Sequence, residues 1–296
     1  MNFPLSRLSK FPRLSLRFFH PFFVCLGIAC LTTLPAERAS AQSRSTKKSS
    51  VIPVAREWKL IGERDPVVLQ EGATYISRRV EAGDQTADLH LIFFSNTDFT
   101  LKVVDQPSAE PDSYKKLNQT LREKNALAGI NGGLFDESTW QPMGLVVSDG
   151  NRIGSWSKDL FFSGVLISVN GKMELLWRQE YEDKIGLTQL LQLGPRLVKD
   201  GKAVKGFLKE KEARRSFIAT DGGKGWVFGV CTVAKLGELA EMLVNPEIIK
   251  EIQVDRALNL DGGTSSGLWL KPAEGKPLYF QELKPIRNML SLVPRD

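Results

Sequence analysis

Short runs of strand-forming residues, separated by turn residues, recur through this chain and limit the folds it can adopt. In residues 99–104 apolar and polar side chains alternate, which is the period of a half-buried strand. Asn170-Gly171, a strong hairpin signal, joins the strand-like runs 161–169 and 172–177. Further strands are predicted at residues 75–80, 89–94, 126–131, 214–220, 226–231 and 257–261, and a last strand ends the tail 285–293.

Helical spacing is found in two segments of the chain. Residues 113–124 follow the N-cap candidate Asp112, and residues 236–244 precede the helix stop Asn245-Pro246. Residues 187–193 fit either a short helix or a strand. Strands and helices do not alternate regularly, which disfavours Rossmann and TIM-barrel folds. The sequence therefore predicts an α+β fold with a mainly antiparallel or mixed β-sheet core and about two packed helices.

The N-terminal region has the features of a secretion signal. A basic region precedes the apolar run 22–34, which is shorter than the roughly 20 apolar residues that span a bilayer. Ala39-Ser40-Ala41 matches a small-residue cleavage site. We therefore predict a signal peptide at 1–41, a disordered leader at 42–55 and a single domain at 56–296. This organisation implies a secreted or periplasmic protein without a stable membrane span after cleavage, and an uncleaved anchor is the alternative.

The positive net charge of the chain comes mainly from the predicted signal. The formal charge is +6, and residues 1–41 contain five basic residues and one acidic residue. Removing them leaves a chain near +2. Such a weak charge does not indicate a nucleic-acid-binding protein, and none is expected as a partner.

The cysteine and histidine content excludes several kinds of site. After residue 41 the chain has one cysteine, Cys231, and one histidine, His90. An internal disulfide and a zinc site with several histidines are therefore excluded. Cys231 lies in an apolar strand and is interpreted as a buried, unreactive thiol, and His90 as a structural or surface residue. Acid–base chemistry must then depend mainly on carboxylates.

The stretch 257–267 brings an acid to the end of a strand. Side chains alternate along a strand, so Leu258 and Leu260 point to one side and Asp261 to the other. Gly262-Gly263 then permits a backbone turn that other residues avoid. Three hydroxyl side chains follow directly, those of Thr264, Ser265 and Ser266. This combination is typical of a site for a polar, oxygen-rich ligand.

A second stretch, 126–136, has the same order of features. A strand of small residues leads to Asn131 and to Gly132-Gly133, and the acid Asp136 follows. The similarity is too short to establish a repeat. The turn at 221–225 also contains an acid and glycines, but it joins two hairpin strands and is interpreted as a plain β-turn.

Five segments, in this order, resemble motifs of the phosphodiester glycosidase domain family. They are residues 130–136, 193–198, 215–219, 257–266 and 288. The resemblance covers roughly residues 70–295. This chain has Leu134 in place of a usual Phe, Thr264 in place of a third Gly, and Arg287 where a small residue is common. Thr264 is expected to narrow the pocket or to add a hydroxyl contact.

The resemblance implies hydrolysis of a sugar-1-phosphodiester, in a glycan or an envelope polysaccharide, at the sugar C1–O bond. The products are a free sugar and a phosphomonoester. Asp261 would act as a general base or stabilise an oxocarbenium-like centre, and Asp136 is the candidate second carboxylate. Asn131, also a catalytic candidate, and Asn288 would donate hydrogen bonds to sugar hydroxyls.

The phosphate leaving group requires positive charge or N–H donors. Arg215, the remaining catalytic candidate, is suited to a bidentate pair with phosphate oxygens, whereas Arg214 is interpreted as a surface charge. The N–H groups of Gly132-Gly133 and Gly262-Gly263 are candidates for anion nests. The full set of predicted substrate-binding residues is Gly132, Gly133, Gly262, Gly263, Thr264, Ser265, Ser266 and Asn288.

Other interpretations of these residues stay open at this point. Asp261 and Asp136 are equally able to hold their own loops by accepting backbone N–H groups. Carboxylates in glycine loops also bind hard cations, so calcium is a candidate cofactor although the sequence establishes none. The alternative function is a non-catalytic envelope or exopolysaccharide carbohydrate-binding protein on the same fold, since a fold does not guarantee an activity.

Overall fold

The computed structural model describes residues 57–107, 114–207 and 211–295. The predicted signal peptide 1–41 and leader 42–55 lie outside these residues. Every strand pairing within the described ranges is antiparallel, and the strands form three sheets. The prediction of an α+β fold with mainly antiparallel sheets is therefore confirmed.

Nineteen strands lie within the described residues and are numbered in chain order. They are β1 (Lys59–Glu63), β2 (Val67–Gln70), β3 (Ala73–Ala82), β4 (Gln85–Ser95), β5 (Phe99–Asp105), β6 (Ala128–Asn131), β7 (Val146–Ser148), β8 (Asn151–Ile153), β9 (Gly164–Val169), β10 (Lys172–Trp177), β11 (Leu187–Leu193), β12 (Arg196–Lys199), β13 (Lys202–Ala203), β14 (Ala213–Thr220), β15 (Gly225–Ala234), β16 (Arg256–Asn259), β17 (Leu268–Leu270), β18 (Leu278–Phe280) and β19 (Asn288–Pro294).

The three sheets differ in size. The first has nine strands in the order β1-β3-β4-β15-β14-β16-β12-β13, with β2 paired to β3. The second has the order β10-β9-β11-β7-β8 and the third the order β18-β17-β6-β19-β5. Residues 187–193, which fit a helix or a strand, form β11 between β9 and β7. The Asn170-Gly171 turn joins β9 and β10 as predicted.

The described residues contain two α-helices, α1 (Leu117–Glu123) and α2 (Leu236–Val244). The bounds of α2 match the prediction, and Asn245 ends it in an extended conformation because a residue before proline disfavours helical angles. The predicted start of α1 is wrong: residues 114–116 are not helical, and Asp112 lies outside the described residues. The backbone of Lys115 exchanges two hydrogen bonds, of 2.8 and 3.1 Å, with the Gln106 side chain, which holds this segment apart from the helix.

The main apolar core contains side chains from all three sheets, including Leu258 and Leu260. A second core lies on the opposite face of the first sheet, where α2 covers strands that include Ala257. The predicted alternation along 257–261 is therefore confirmed. The helix α1 packs on the third sheet against Trp269 and Met289. Both faces of β16 are thus buried, which fixes the position of the loop that follows it.

Cys231 and His90, the two residues that the sequence analysis placed outside the chemistry, lie within this frame, the first fully buried and the second half-buried. The Cys231 side chain is fully buried, and burial raises the pKa of its thiol to about 12. His90 Nδ1 lies 2.8 Å from the Tyr75 hydroxyl oxygen, and burial lowers the pKa of the imidazole. Within the described part of the chain, neither helix is long and apolar enough to cross a membrane.

Candidate active site at two glycine turns

The two glycine stretches lie side by side, although 130 positions separate Asn131 from Asp261. The first follows β6 in the third sheet and the second follows β16 in the first sheet. The Asp261 N–H donates to the Gly132 carbonyl oxygen over 2.9 Å. The fold therefore brings the two stretches together in one region.

Asn131 is completely buried and connects the two halves. Its Nδ2 donates to the Asp261 carbonyl oxygen over 2.7 Å, and its Oδ1 accepts the Gly267 N–H over 3.1 Å. The Ser216 hydroxyl lies 2.7 Å from Asn131 Oδ1 and 3.0 Å from the Ser266 hydroxyl. With these partners the Asn131 side chain positions the Asp261 loop, which differs from the expected contact with sugar hydroxyls.

Asn288 accepts the hydrogen bonds of both N–H groups of the first glycine turn. Gly132 donates to the Asn288 carbonyl oxygen over 2.9 Å, and Gly133 donates to Asn288 Oδ1 over 2.7 Å. These two donors are therefore not available as the anion nest that the sequence suggested. Asn288 Nδ2 is buried without a hydrogen-bond partner among the described residues. The Nδ2 group is therefore the hydrogen-bond donor of Asn288 that is left for a ligand.

Asp261 is partly buried at the end of its strand. One carboxylate oxygen accepts the Gly262 N–H over 2.9 Å, and the carboxylate also accepts a hydrogen bond from Ser265. Burial outweighs these bonds and raises the pKa of Asp261 to about 6, and the negative charge of Glu137 contributes in the same direction. The site therefore contains a carboxylate that changes charge near neutral pH.

The loop after Asp261 forms a single 3₁₀ turn, Gly263–Ser265. Gly263 has a φ of +62°, a conformation that L-residues with a Cβ rarely adopt. Thr264, which stands where the family has glycine, is exposed, and its carbonyl oxygen accepts the Leu283 N–H over 2.7 Å. Of the three predicted hydroxyl groups, that of Ser265 bonds to Asp261 and that of Ser266 bonds to Ser216. The Thr264 hydroxyl is therefore the one at the surface.

The two arginines have contacts that the sequence did not predict. The guanidinium of Arg215 donates to the carbonyl oxygens of Ala234, over 2.9 Å, and of Lys211. A Cβ added to Gly262 would lie 3.8 Å from Arg215 Nη1, so the guanidinium borders the second glycine turn. Arg214 is not a free surface charge, because it lies 4.6 Å over the Phe280 ring and is only partly exposed.

The two acids of the first loop have different environments. Asp136 is exposed, and its pKa is lowered by hydrogen bonds from the Ser138 hydroxyl and from the backbone N–H groups of Thr139 and Ser138, the last two at 2.9 and 2.8 Å. This pattern favours a loop-holding role for Asp136. Glu137, which the sequence analysis missed, is the acid whose charge acts on Asp261, and it pairs with Lys284 at 3.0 Å. No motif distinguishes Glu137 from other loop acids, so the sequence carries no signal for it.

The sequence profile named phosphodiester glycosidase matches residues 124–293, more than half of the chain. The chain belongs to the phosphodiester glycosidase family. The match includes both glycine turns, Ser216 and Asn288. A comparison with curated proteins gives no match.

Solved structures of other proteins have a fold similar to that of this chain. The chain is similar to the zebrafish N-acetylglucosamine-1-phosphodiester alpha-N-acetylglucosaminidase catalytic domain auto-inhibited by pro-peptide, with 15% identity and a TM-score of 0.57 over 79% of this chain and 89% of that one. It is also similar to a hypothetical protein from Synechocystis, with 18% identity and a TM-score of 0.51 over 76% of this chain and 63% of that one. At these identities the likeness concerns the fold.

Two further features of this phosphodiester glycosidase domain were not predicted. Asn259 lies in the Asp261 motif, and its Nδ2 donates to the Gly194 carbonyl oxygen over 3.2 Å, while its Oδ1 is buried without a partner among the described residues. Arg287, a departure from the family pattern, forms a buried pair with Asp105 over 2.8 Å. The position of Asn259 within the Asp261 motif was the sequence signal that could have identified it. No such signal exists for the partner of Arg287, because Asp105 lies far away in the sequence.

The candidate cation was calcium, and the site has few ligands for it. Across residues 57–107, 114–207 and 211–295, no group of three or more histidine, cysteine or acidic side chains is placed to hold a metal ion. Asp261 and Glu137 alone would supply too few oxygens for calcium, which takes six to eight. A role for calcium stays an untested prediction.

Ser216→Ala is expected to lower the free energy of unfolding by about 1 kcal/mol, because Asn131 Oδ1 then keeps only the Gly267 N–H. Urea denaturation at one pH measures the change. Ser155→Ala, which removes an exposed hydroxyl, is the matched control and should have no effect. Equal stabilities of the two variants would contradict a role for Ser216 in the buried network.

Proposed function

We propose that this protein hydrolyses sugar-1-phosphodiesters at the sugar C1–O bond and releases a free sugar and a phosphomonoester. The observation that carries the proposal is the partly buried Asp261, with a pKa of about 6, between the two glycine turns of a phosphodiester glycosidase domain. The name of the zebrafish relative supplies the substrate to try first, an N-acetylglucosamine-1-phosphodiester.

The chemistry suits the groups at the site. The group that leaves the sugar C1 atom is a phosphomonoester, already a good leaving group, so the reaction needs stabilisation of charge more than strong protonation. Ionised Asp261 either takes a proton from the attacking water or stabilises positive charge at the sugar C1 atom. Arg215 borders the Gly262 turn and is the proposed partner of the phosphate oxygens. Asn288 Nδ2 and Asn259 Oδ1 are the proposed donor and acceptor for sugar hydroxyls.

The pH dependence follows from the raised pKa of Asp261. In both roles the ionised carboxylate is the active form, so kcat/KM is expected to rise with pH and to level off above pH 6. Initial rates of sugar release between pH 4 and pH 8 measure this profile. A rate that falls as the pH passes 6 would show that the protonated acid is the active form instead.

The position of bond cleavage provides the direct test. The purified protein is incubated in H₂¹⁸O with methyl N-acetylglucosamine-1-phosphodiester, and the products are analysed by mass spectrometry. Cleavage at the C1–O bond places the label in the sugar, whereas cleavage at the phosphorus places it in the phosphate. Label in the phosphate would contradict the proposal. Binding without turnover across a panel of sugar-1-phosphodiesters would support the alternative, a carbohydrate-binding protein.

A secreted or periplasmic location is part of this proposal. It is supported by the sequence of residues 1–41, a basic region and an apolar run before Ala39-Ser40-Ala41. N-terminal sequencing of the protein produced in a bacterial host tests it, with Gln42 as the expected first residue. An intact N-terminus in the membrane fraction would support the uncleaved anchor.

A further inference from the structure

A polar cleft lies along β5 and β19, beside the C-terminal end of α1. Its volume is about 630 Å³, and it adjoins a smaller cleft of about 260 Å³ that shares Lys102, Lys124 and Asp149 with it. The cleft reaches Val293, five positions beyond Asn288 on β19. At about 3.4 Å per residue this separation is roughly 17 Å, so the larger cleft lies apart from the Asp261 site. The smaller cleft comes nearer to that site, because Asp105, one of its lining residues, pairs with Asn288 across the sheet.

The charged groups of the cleft are mainly positive. Lys102, Lys124 and Arg295 line it and are exposed. Neither lysine forms an ion pair with any residue that the structure describes. Asp149 accepts a hydrogen bond from Gln189 Nε2 over 2.8 Å, and Asp105 in the smaller cleft is neutralised by Arg287. The cleft therefore has an excess of positive charge that favours an anionic ligand.

The floor of the cleft contains hydroxyl groups without partners. Thr100 lines the larger cleft and Ser291 the smaller one, and their side chains are 9% and 1% exposed. Both hydroxyl oxygens are buried and have no hydrogen-bond partner among the described residues. Burial of an unpartnered hydroxyl is unfavourable, and a ligand with its own hydroxyl groups would supply the missing bonds. These two groups point to a ligand that is polar as well as charged.

We propose that this cleft binds acidic saccharide units, sugars with carboxylate or phosphate groups, and holds a polysaccharide chain apart from the hydrolytic site. The cationic rim recognises the acidic groups, and Thr100 and Ser291 recognise hydroxyls. None of the residues that line the two clefts is aromatic, so the cleft lacks the stacking platform that single-stranded nucleic acids require. The inference does not depend on hydrolysis at Asp261.

Calorimetric titration tests the ligand class with a hexamer of galacturonic acid, a neutral maltohexaose and an oligothymidylate of equal charge to the acidic hexamer. The acidic hexamer is expected to bind, with an affinity that falls as salt is added. Maltohexaose is expected to bind at least about tenfold more weakly. Binding of the oligothymidylate as tight as that of the acidic sugar, or equal binding of the neutral hexamer, would overturn the proposal.

Variants test the location. Lys102→Glu with Lys124→Glu is expected to weaken binding of the acidic hexamer about tenfold or more, whereas the exposed control pair Lys199→Glu with Lys202→Glu is expected to leave it unchanged. Equal losses in the two pairs would show that net charge alone is responsible and would overturn the assignment to this cleft. Release of sugar from a small phosphodiester should be the same in both pairs.

Variants of the two buried hydroxyls test the binding of sugar hydroxyls without changing the charge of the cleft. Thr100→Val keeps the side-chain shape, and it is expected to weaken binding of the acidic hexamer about threefold while the thermal midpoint stays equal or rises. Ser291→Ala is expected to behave in the same way. Unchanged affinity in both variants would overturn the role of the hydroxyls and, with it, the preference for a saccharide.

Discussion

Asp261→Asn is expected to lower the rate of free-sugar release by about a hundredfold or more, since the ionised carboxylate supplies either the base or the charge stabilisation of the reaction. The amide keeps the size of the side chain and an oxygen that accepts the Gly262 N–H. The loop should therefore remain folded, and the loss should appear in kcat. Initial rates with an N-acetylglucosamine-1-phosphodiester above pH 6 measure it.

The same substitution is expected to stabilise the folded protein at pH 7.5. The folded-state pKa of Asp261, about 6, is above the ordinary value of 3.8, so the fold favours the protonated form. As the pH rises from 4 through 6, the unfolded chain ionises first and stability is lost, and the loss is complete above pH 6. This loss is on the order of 2 to 3 kcal/mol. Asp261→Asn removes it at pH 7.5 and changes little at pH 3.5, as urea denaturation at both pH values will show.

Asp136→Ala is the control for the effect on the rate of sugar release. Asp136 is also an acid near a glycine turn, but it is exposed and its hydrogen bonds are within its own loop. Its removal is expected to leave the rate of sugar release within about twofold of the unmodified protein. If the Asp136 and Asp261 variants lose activity equally, or if Asp261→Asn keeps the full rate, the assignment of Asp261 is wrong.

The sequence predicted the local structure of the two glycine stretches better than the bonds between them. Alternation of apolar residues placed Leu258 and Leu260 in the main core and Asp261 on the other side of the strand, because side-chain period is a local property. The same short-range logic predicted the hairpin at Asn170-Gly171 and the bounds of α2. Local patterns thus determine most of the strands that carry the two glycine turns.

The errors concern contacts between distant parts of the chain. The start of α1 depends on Gln106, whose side chain bonds Lys115 from outside the helix. The expected anion nest at Gly132-Gly133 depends on which group accepts its N–H donors, and that group is Asn288, which reaches them from β19. A single sequence records none of these pairings, so the two stretches are recognisable from the sequence while the partners of their residues are not.

Gly132→Ala is expected to destabilise the protein by about 3 kcal/mol or more and to abolish sugar release. A Cβ at this position would lie 2.0 Å from Asn288 Oδ1 and 2.9 Å from its backbone oxygen. The Asn288 side chain would have to move, which removes the hydrogen bond to Gly133 and shifts the turn that accepts the Asp261 N–H. Urea denaturation and initial rates measure the two effects.

Two comparisons distinguish the effect of the contact with Asn288 from the loss of stability that replacement of any glycine would cause. Gly62→Ala is the control, because its added Cβ would meet only Arg79 Cβ at 3.7 Å, and a change within about 0.5 kcal/mol is expected. Asn288→Ala combined with Gly132→Ala should cost less than the sum of the single changes, since the smaller side chain relieves the shorter contact. Additive costs would mean that Asn288 does not set the requirement for glycine at position 132, and the two turns would then be held together mainly by Asn131 and the Asp261 backbone.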